Sequence, residues 1–404
     1  MRYNTGMDSG KPLVQYDVGV YGGAFDPVHN GHVALMQYVI SALGLKRLVV
    51  LPSGNSPHKR SLSPFRDRVV MLRAATRHIP QVVVDEAEQS HDGPAYSSDM
   101  LPILHAKYGD FVHIVGSDSI IGMPHWHCPE LVMRFPHVVV VRGAASAELQ
   151  AAVDYARRTY GATVSVLPTA IPPYSSTDVR LFYRIGRTPT SEDLRQGQIA
   201  LDKGTYYPMA NGVCYSVHDY IRTQGLYDEY HHIVNEVPSR ISPERWAHTQ
   251  EVALMAVRLN RQLHLPEEKV IVAALLHDCM KGASYVYPAV PADCRQGAVV
   301  HAFNGAEEAR HRYGVVDEDV LDAIRYHTTG RAGMSDLERL IYLADYCEAT
   351  RTHAGVDEVR AAALADFDRG FAMAVEATHR HVNAKGGEVC ALGEQCYAYY
   401  CLPH

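Results

Sequence analysis

The sequence predicts a chain in two parts: an α/β domain built on a parallel sheet with helices on both faces, followed by an all-α domain. Three observations point there. Short apolar, β-rich runs recur at residues 18–21, 48–52, 82–84, 111–115, 138–141 and 164–167, separated by stretches with helical spacing, which is the signature of right-handed βαβ units. Past residue 241 the strands stop and long amphipathic helices take over. A chain of 404 residues is also long enough for two separate cores. The boundaries expected are an extension at 1–16, the α/β domain at 17–228, a linker at 229–241, the helical domain at 242–385 and a tail at 386–404.

Composition bounds the chemistry. Apolar residues make up 47% and charged residues 21%, as in soluble globular proteins. A formal charge of −7 argues against a general nucleic-acid binder, which needs a basic face, but leaves room for small anionic ligands at local sites. Residues 1–15 hold no apolar core of signal-peptide length and no run approaches a membrane span, so a cytoplasmic protein with no membrane partner is expected. The eight cysteines contain no Cys-x-x-Cys pair and are expected as reduced thiols. Cys390, Cys396 and Cys401 cluster near the end, but their irregular spacing and the lack of an adjacent His motif argue against a metal site. The 23 histidines are the outlier.

The first domain is organised around Tyr21-Gly22-Gly23-Ala24-Phe25-Asp26-Pro27-Val28-His29-Asn30-Gly31-His32, where a strand runs through a glycine turn into a helix beginning at about Val33. A strand that ends at a helix N-terminus makes an anion site, with free N–H groups and the positive helix end facing a crevice. Gly22 and Gly23 let backbone approach a ligand, and His29 and His32, three apart, can address one phosphoryl group. Each residue alone is an ordinary part of a tight turn; their coincidence is what points to phosphate. The second strand leads to Gly54-Asn55-Ser56-Pro57-His58-Lys59-Arg60, a loop expected beside the glycine turn because open α/β sheets bind ligands beyond the carboxyl ends of their strands. Lys59 would offset polyphosphate charge. An amphipathic helix over 66–77 and the strand at 82–84 precede His91-Asp92-Gly93-Pro94-Ala95-Tyr96-Ser97-Ser98. The strand at 111–115 then enters Gly116-Ser117-Asp118-Ser119, with Trp126 beyond; Asp118 could accept from hydroxyls, and Trp126 could stack on a flat ring. An Asp cap and a core Trp explain these two equally well. Finally Ser175-Ser176-Thr177-Asp178-Val179-Arg180 places hydroxyls at a helix start with an arginine one turn later, a second phosphate cradle.

These strings resemble the nucleotidyltransferase superfamily and, within it, the nicotinate-nucleotide adenylyltransferases, which implies a Rossmann-like fold. The resemblance carries ATP and phosphate contacts to Gly22, Gly23, Phe25, Ser176 and Thr177, catalytic roles to His29, His32, Lys59 and Arg180, and nicotinate-nucleotide contacts to Tyr96, Ser97, Asp118 and Trp126, with Mg²⁺ arriving on ATP. Ala24, Ala95 and Met100 depart from the family pattern, the first where a hydroxyl is usual. The helix at Tyr220-Ile221 ending Gly225-Leu226-Tyr227 also fits, while 188–212 is longer than the family leads one to expect and reads as a surface insertion.

In the second part, Arg245-Trp246-Ala247-His248-Thr249 opens a long helix, and the uncharged run 270–276 ends in His277-Asp278. Such a pair is costly to bury unless something binds it, and a metal would. His301, His327 and Asp345 follow on later helices, and imidazole with carboxylate suits Fe, Mn, Co or Zn. This order resembles the HD phosphohydrolase superfamily, and Tyr326-His327-Thr328-Thr329-Gly330 with Leu343-Ala344-Asp345-Tyr346 looks like its YqeK-type members, symmetrical dinucleoside tetraphosphate hydrolases with an iron-containing site. The ligands implied are His248, His277, Asp278, His301, His327 and Asp345. Six side chains suggest one or two ions with Asp278 bridging and catalytic. Lys281, Thr328 and Arg351 are expected against substrate, although Lys281 reads equally as a helix-end lysine.

The expectation is therefore a bifunctional enzyme. One half would join ATP and nicotinate mononucleotide into nicotinate adenine dinucleotide and pyrophosphate; the other would cleave diadenosine tetraphosphate to two ADP. Alternatives are another acceptor for the first domain, such as pantetheine phosphate or nicotinamide mononucleotide. For the second they are an alarmone, a deoxynucleotide, a cyclic dinucleotide, or a sensor without turnover. The partners expected are small nucleotides, with self-association open.

Overall fold

The computed structural model describes residues 16–54, 62–90, 93–172, 174–290, 295, 299–384 and 390–402. Lys59 and most of its loop, and the extension 1–15, lie outside them. The described residues form two compact units: 16–180 with Thr188–Leu226, and Leu181–Arg187 with Tyr227 onward.

The first unit is a six-stranded sheet of β1 (Val18–Gly23), β2 (Arg47–Pro52), β3 (Val82–Val84), β4 (Val112–Gly116), β5 (His137–Arg142) and β6 (Val164–Thr169). The order is β3-β2-β1-β4-β5-β6 and every neighbour pair is parallel. This is the Rossmann-like architecture expected. Parallel strands are buried on both faces, which is why these runs are continuously apolar rather than alternating. The connecting helices are α1 (Asn30–Leu43), α2 (Phe65–Thr76), α3 (Ser97–Tyr108), α4 (Ser117–Ile121), α5 (Pro129–Val132), α6 (Ala147–Tyr160), α7 (Ser176–Arg184), α8 (Ser191–Asp202) and α9 (Tyr215–Gln224). Strand order reverses between β1 and β4, so the crevice for a ligand opens beyond the carboxyl end of β1, where Gly22 to His32 emerges.

Two devices hold that loop. Arg68 on α2 is 1% exposed, and its guanidinium donates to the carbonyls of Ala24 (2.7 Å), Ser53 (2.7 Å) and Ser63 (3.0 Å), stitching the segments after β1 and β2 together. The stretch read as a surface insertion supplies the second. Its helix α8 is followed by 206–212, where Tyr206 Oη donates to Asn30 Oδ1, Asn30 Nδ2 donates to the Met209 carbonyl, and the Asn30 amide donates to Gly212. The segment is part of the support for α1, not an appendage.

The second unit is helical, as expected: α10 (His231–Glu236), α11 (Pro243–Leu263), α12 (Glu267–Leu276), α13 (Val300–His311), α14 (Glu318–Tyr326), α15 (Asp336–Cys347), α16 (Val356–Ala365), α17 (Phe367–Ala384) and α18 (Ala391–Cys401). The segment expected as a linker contains α10, and Ile233 and Val237 are buried in the same core as Leu181, Ile185, Val252 and Leu276. The expected tail contains α18, whose Cys396 is 1% exposed and whose Tyr400 hydroxyl accepts from the Met334 amide at 2.7 Å. Cys390 is exposed and Cys396 buried, and among the described residues the groups that could hold a metal ion include no cysteine. The described cysteines are free thiols. No described helix is long and apolar enough to cross a membrane.

Two outcomes are expected. Arg68→Met keeps the buried stem but strands three carbonyls, and should cost roughly 3 kcal/mol in urea unfolding. His113 on β4 and His137 on β5 are paired across the sheet with ring centroids 5.0 Å apart. Burial pushes His137 down to about 4 and His113 well below its ordinary value. Unfolded imidazoles take up protons below about pH 6.5 while these resist, so their stabilisation is complete above that pH and is lost toward pH 4. A His113→Leu/His137→Leu variant should lose less stability than wild type when urea midpoints at pH 7.5 and pH 5 are compared.

Candidate active sites

At the end of β1, His29 is the N-cap of α1 and His32 its third residue, and the two cap each other. The His32 amide donates to His29 Nδ1 and the His29 amide donates to His32 Nδ1, each at 3.2 Å. The rings stack with centroids 3.6 Å apart. A nitrogen that accepts from an amide carries no proton, so a neutral ring in either position holds its hydrogen on Nε2. Burial, partly offset by a backbone hydrogen bond and reinforced by the charge of Arg142, lowers His29 to about 4. At neutral pH it is therefore an uncharged N–H donor.

The structure brings the second cradle to this loop. Ser176 Oγ donates to the Pro27 carbonyl at 3.0 Å, and Arg180 donates to the Asp26 carbonyl at 2.6 Å and to Thr177 Oγ1 at 3.2 Å. Tyr174 lies over His29, and a side chain at Gly31 would meet Tyr174 Cβ at 3.0 Å, so glycine there permits the close approach. The expected ring of free amides is not what stands at this turn: the Asn30 and His32 amides are already committed. Phe25 is 1% exposed, with its ring 5.0 Å from that of His32, so its side chain supports the histidine from below. Gly22 is exposed at the strand end and Gly23 lies over the Phe25 ring.

Of the residues expected on the nicotinate side, Tyr96 caps α3 and stacks on His127 at 4.4 Å, and the buried hydroxyl that bonds His127 is Ser98 (3.1 Å), with Ser97 exposed. Trp126 packs partly into the apolar core, and Asp118 is exposed at the start of α4.

In the second unit the sequence-predicted groups converge. His248, His277, Asp278, His301 and His327 are all buried. Asp278 Oδ1 lies 3.1 Å from His301 Nε2 and 3.5 Å from His327 Nε2; Oδ2 lies 3.6 Å from His277 Nε2 and 3.9 Å from His248 Nε2. His248 Nε2 is 3.0 Å from Asp345 Oδ1. Two sets, His248 with His277 and Asp345, and His277 with Asp278 and His327, each bring ligand atoms within 4.8 Å of one another. His248 Nε2, His277 Nε2 and Asp278 Oδ1 are buried yet make no hydrogen bond despite these short approaches. A cation there would satisfy all three, so the donor set fits a transition metal.

Local structure prepares the ligands. His277 and His327 each stand at a helix C-cap, and each Nδ1 bonds the carbonyl three residues back, Ala274 and Ile324, at 2.7 Å. A carbonyl only accepts, so the proton is on Nδ1 and Nε2 is left with a free lone pair. Burial lowers His277 to about 4, keeping it neutral. Asp278 and Asp345 are pushed up by burial, but the surrounding imidazoles outweigh this and hold both well below the carboxylate range. In His248 burial is outweighed by Asp345 and Glu348, which raise it.

Lys281 Nζ sits 3.2 Å from His301 Nε2, lowered by burial, and Thr328 Oγ1 is 3.0 Å from His327 Nε2. Arg351 holds Asp345 Oδ1 at 2.5 Å. Sequence reasoning missed Arg245, whose guanidinium is 2.8 Å from Asp278 Oδ2, and Glu348, fully buried beside His248. Both lie three residues from a ligand on or beyond its helix, which is the spacing that would have found them.

Comparison with known proteins separates the same two parts. The cytidylyltransferase-like family matches residues 20–182 and the HD domain family residues 245–350. A probable nicotinate-nucleotide adenylyltransferase of Thermomicrobium roseum is 31% identical over 42% of this chain and 82% of its own length. A symmetrical bis(5'-nucleosyl)-tetraphosphatase of Bacillus subtilis is 37% identical over 35% of this chain and 81% of its own. A solved structure of a predicted HD-superfamily hydrolase involved in NAD metabolism from Clostridium acetobutylicum is 34% identical, covering 43% of this chain and 96% of that one, with a TM-score of 0.39. This polypeptide thus belongs to the nicotinate-nucleotide adenylyltransferase family over its first part and to the HD-domain family of symmetrical bis(5'-nucleosyl)-tetraphosphatases over its second.

Proposed function

We propose that the first unit transfers the adenylyl group of ATP to nicotinate mononucleotide. The observation that carries this reading is the reciprocal cap of His29 and His32, which leaves the proton of each neutral ring on Nε2, on the loop whose Asp26 carbonyl accepts from Arg180. A phosphate oxygen of the mononucleotide would form a bond to the α-phosphorus while the bond to the β-phosphate oxygen breaks, releasing pyrophosphate. No covalent enzyme intermediate is needed, so alignment and charge neutralisation supply the catalysis. The neutral His29 donates hydrogen bonds to the developing equatorial charge; the positive charge comes from Arg180, from Lys59 and from the Mg²⁺ that accompanies ATP.

The second unit, on this proposal, hydrolyses diadenosine tetraphosphate to two ADP. The convergence of four imidazoles on Asp278 carries it. His248, His277, Asp278 and Asp345 would hold one ion, and Asp278, His301 and His327 a second, with Asp278 shared. Bound there, Fe, Mn, Co or Zn would lower the pKa of a ligated water and polarise a phosphoryl oxygen. Lys281, Arg245 and Arg351 offer cations for the remaining phosphate charge, and Thr328 a hydroxyl. Water oxygen adds to one inner phosphorus, and the bond to the central bridging oxygen breaks, giving two ADP.

His32→Ala should lower the rate of dinucleotide synthesis about 10²- to 10³-fold while diadenosine tetraphosphate hydrolysis continues, as separate assays of each product would register. The reverse is expected of His277→Ala. Metal analysis of anaerobically purified protein should find the ion in wild type and a deficit in His277→Ala; equal metal content and equal ADP release in the two would remove the second assignment.

A further inference from the structure

Four ligand histidines of the second unit need a partner for Nδ1 if Nε2 is to face a metal, and that of His301 faces Lys281 Nζ at 3.3 Å. Two find it in their own helix, because a helix leaves its last carbonyls unpaired and His277 and His327 sit at those ends. His248 is different. It lies inside α11, where the carbonyl three residues back is not free to turn toward a side chain. Its Nδ1 instead faces Glu348 Oε1 at 3.2 Å.

Glu348 is built for one position. It has no exposure at all, follows the last residue of α15, and stands three residues beyond Asp345. Its carboxylate accepts from the Thr350 amide at 2.5 Å and from Thr350 Oγ1 at 2.7 Å, and Arg360 donates to its backbone carbonyl at 2.8 Å. These bonds fix both carboxylate and main chain. His248 Nδ1 faces the same oxygen that Thr350 Oγ1 does, so the imidazole is aimed by a rigid group.

We infer that Glu348 is a positioning residue: it accepts the Nδ1 proton of His248, fixes the ring's rotation, and so directs Nε2 at the ion shared with His277 and Asp345. The inference rests on the metal-site reading above and names which of its two ions depends on a carboxylate outside the ligand set. Outer partners of ligating histidines change metal affinity by about 10- to 100-fold when removed. The other ion, held by Asp278, His301 and His327, does not involve His248.

The test is Mn²⁺ titration of the metal-depleted full chain, counting free Mn²⁺ by its electron paramagnetic resonance signal, on wild type, Glu348→Ala, Glu348→Gln and Glu348→Asp. Helical circular dichroism monitors folding. Two classes of site are expected in wild type. Glu348→Ala should weaken one class roughly 10- to 100-fold and spare the other. Glu348→Gln keeps an acceptor oxygen at the same reach and should stay close to wild type; Glu348→Asp keeps the charge but retracts it by one methylene and should behave like alanine. The last two variants decide the matter even if Glu348→Ala does not fold. Wild-type affinity in folded Glu348→Ala, or a folded Glu348→Asp that binds normally while Glu348→Gln does not, overturns the aiming role alone. A wild-type protein that binds no Mn²⁺ overturns the metal-site reading and this role with it.

Discussion

Unpaired backbone groups at helix ends decide what the histidines of this protein can do. A helix begins with N–H groups in want of acceptors and ends with carbonyls in want of donors. His29 and His32 sit at a beginning, so each Nδ1 accepts an amide and each Nε2 is left as a donor. His277 and His327 sit at ends, so each Nδ1 donates to a carbonyl and each Nε2 is left as a lone pair. One side chain is thus left with a proton on Nε2 in one unit and a lone pair on Nε2 in the other, with no change of residue type, which suits the phosphate-donor and metal-ligand roles proposed for them. Charge follows the same division, since burial keeps both His29 and His277 neutral near pH 7.

Around Asp278 this local rule becomes a constraint on five helices. The groups that converge there come from α11, the end of α12, α13, the end of α14, and α15, and an ionised carboxylate only 3% exposed must be compensated from all sides. Arg245 meets part of that demand at 2.8 Å. Breaking such a centre by removing one partner leaves a buried charge uncompensated, which is costly, so the helices are held to a common point as much by electrostatics as by their apolar core. Gly330, in the left-handed region at φ 64, lets the chain turn just after Thr329, and Cys396 of α18 packs where a side chain would otherwise stand, 2.5 Å away.

The strands were readable because both faces of a parallel sheet are buried, leaving uninterrupted apolar runs such as 48–52 and 138–141. The cluster around Asp278 was readable because a buried His-Asp after an uncharged helix has few other physical excuses. What escaped was whatever depends on a partner distant in sequence. Arg68 looks like one of several charges on an amphipathic helix, and nothing local reveals that its guanidinium meets carbonyls from two loops. Residues 206–212 read Tyr-Tyr-Pro-Met-Ala-Asn-Gly, with neither helical nor strand spacing, and the Tyr206 and Met209 bonds to Asn30, about 180 positions earlier, give them their place. The segment around 229–241 looked like a linker by its prolines and polarity, although Ile233 and Val237 follow the spacing of a buried helical face.

The division of the chain into units carries a practical corollary. Leu181 and Ile185 are counted with the helical core, while 188–226 returns to the sheet-bearing unit. A genetic split placed at residue 228 would therefore leave the upstream product with two orphaned aliphatic side chains and deprive the downstream product of the short strip that belongs in its interior. Expression of the halves as separate proteins calls for a copy of 181–187 grafted onto the downstream piece and polar replacements for Leu181 and Ile185 in the upstream one.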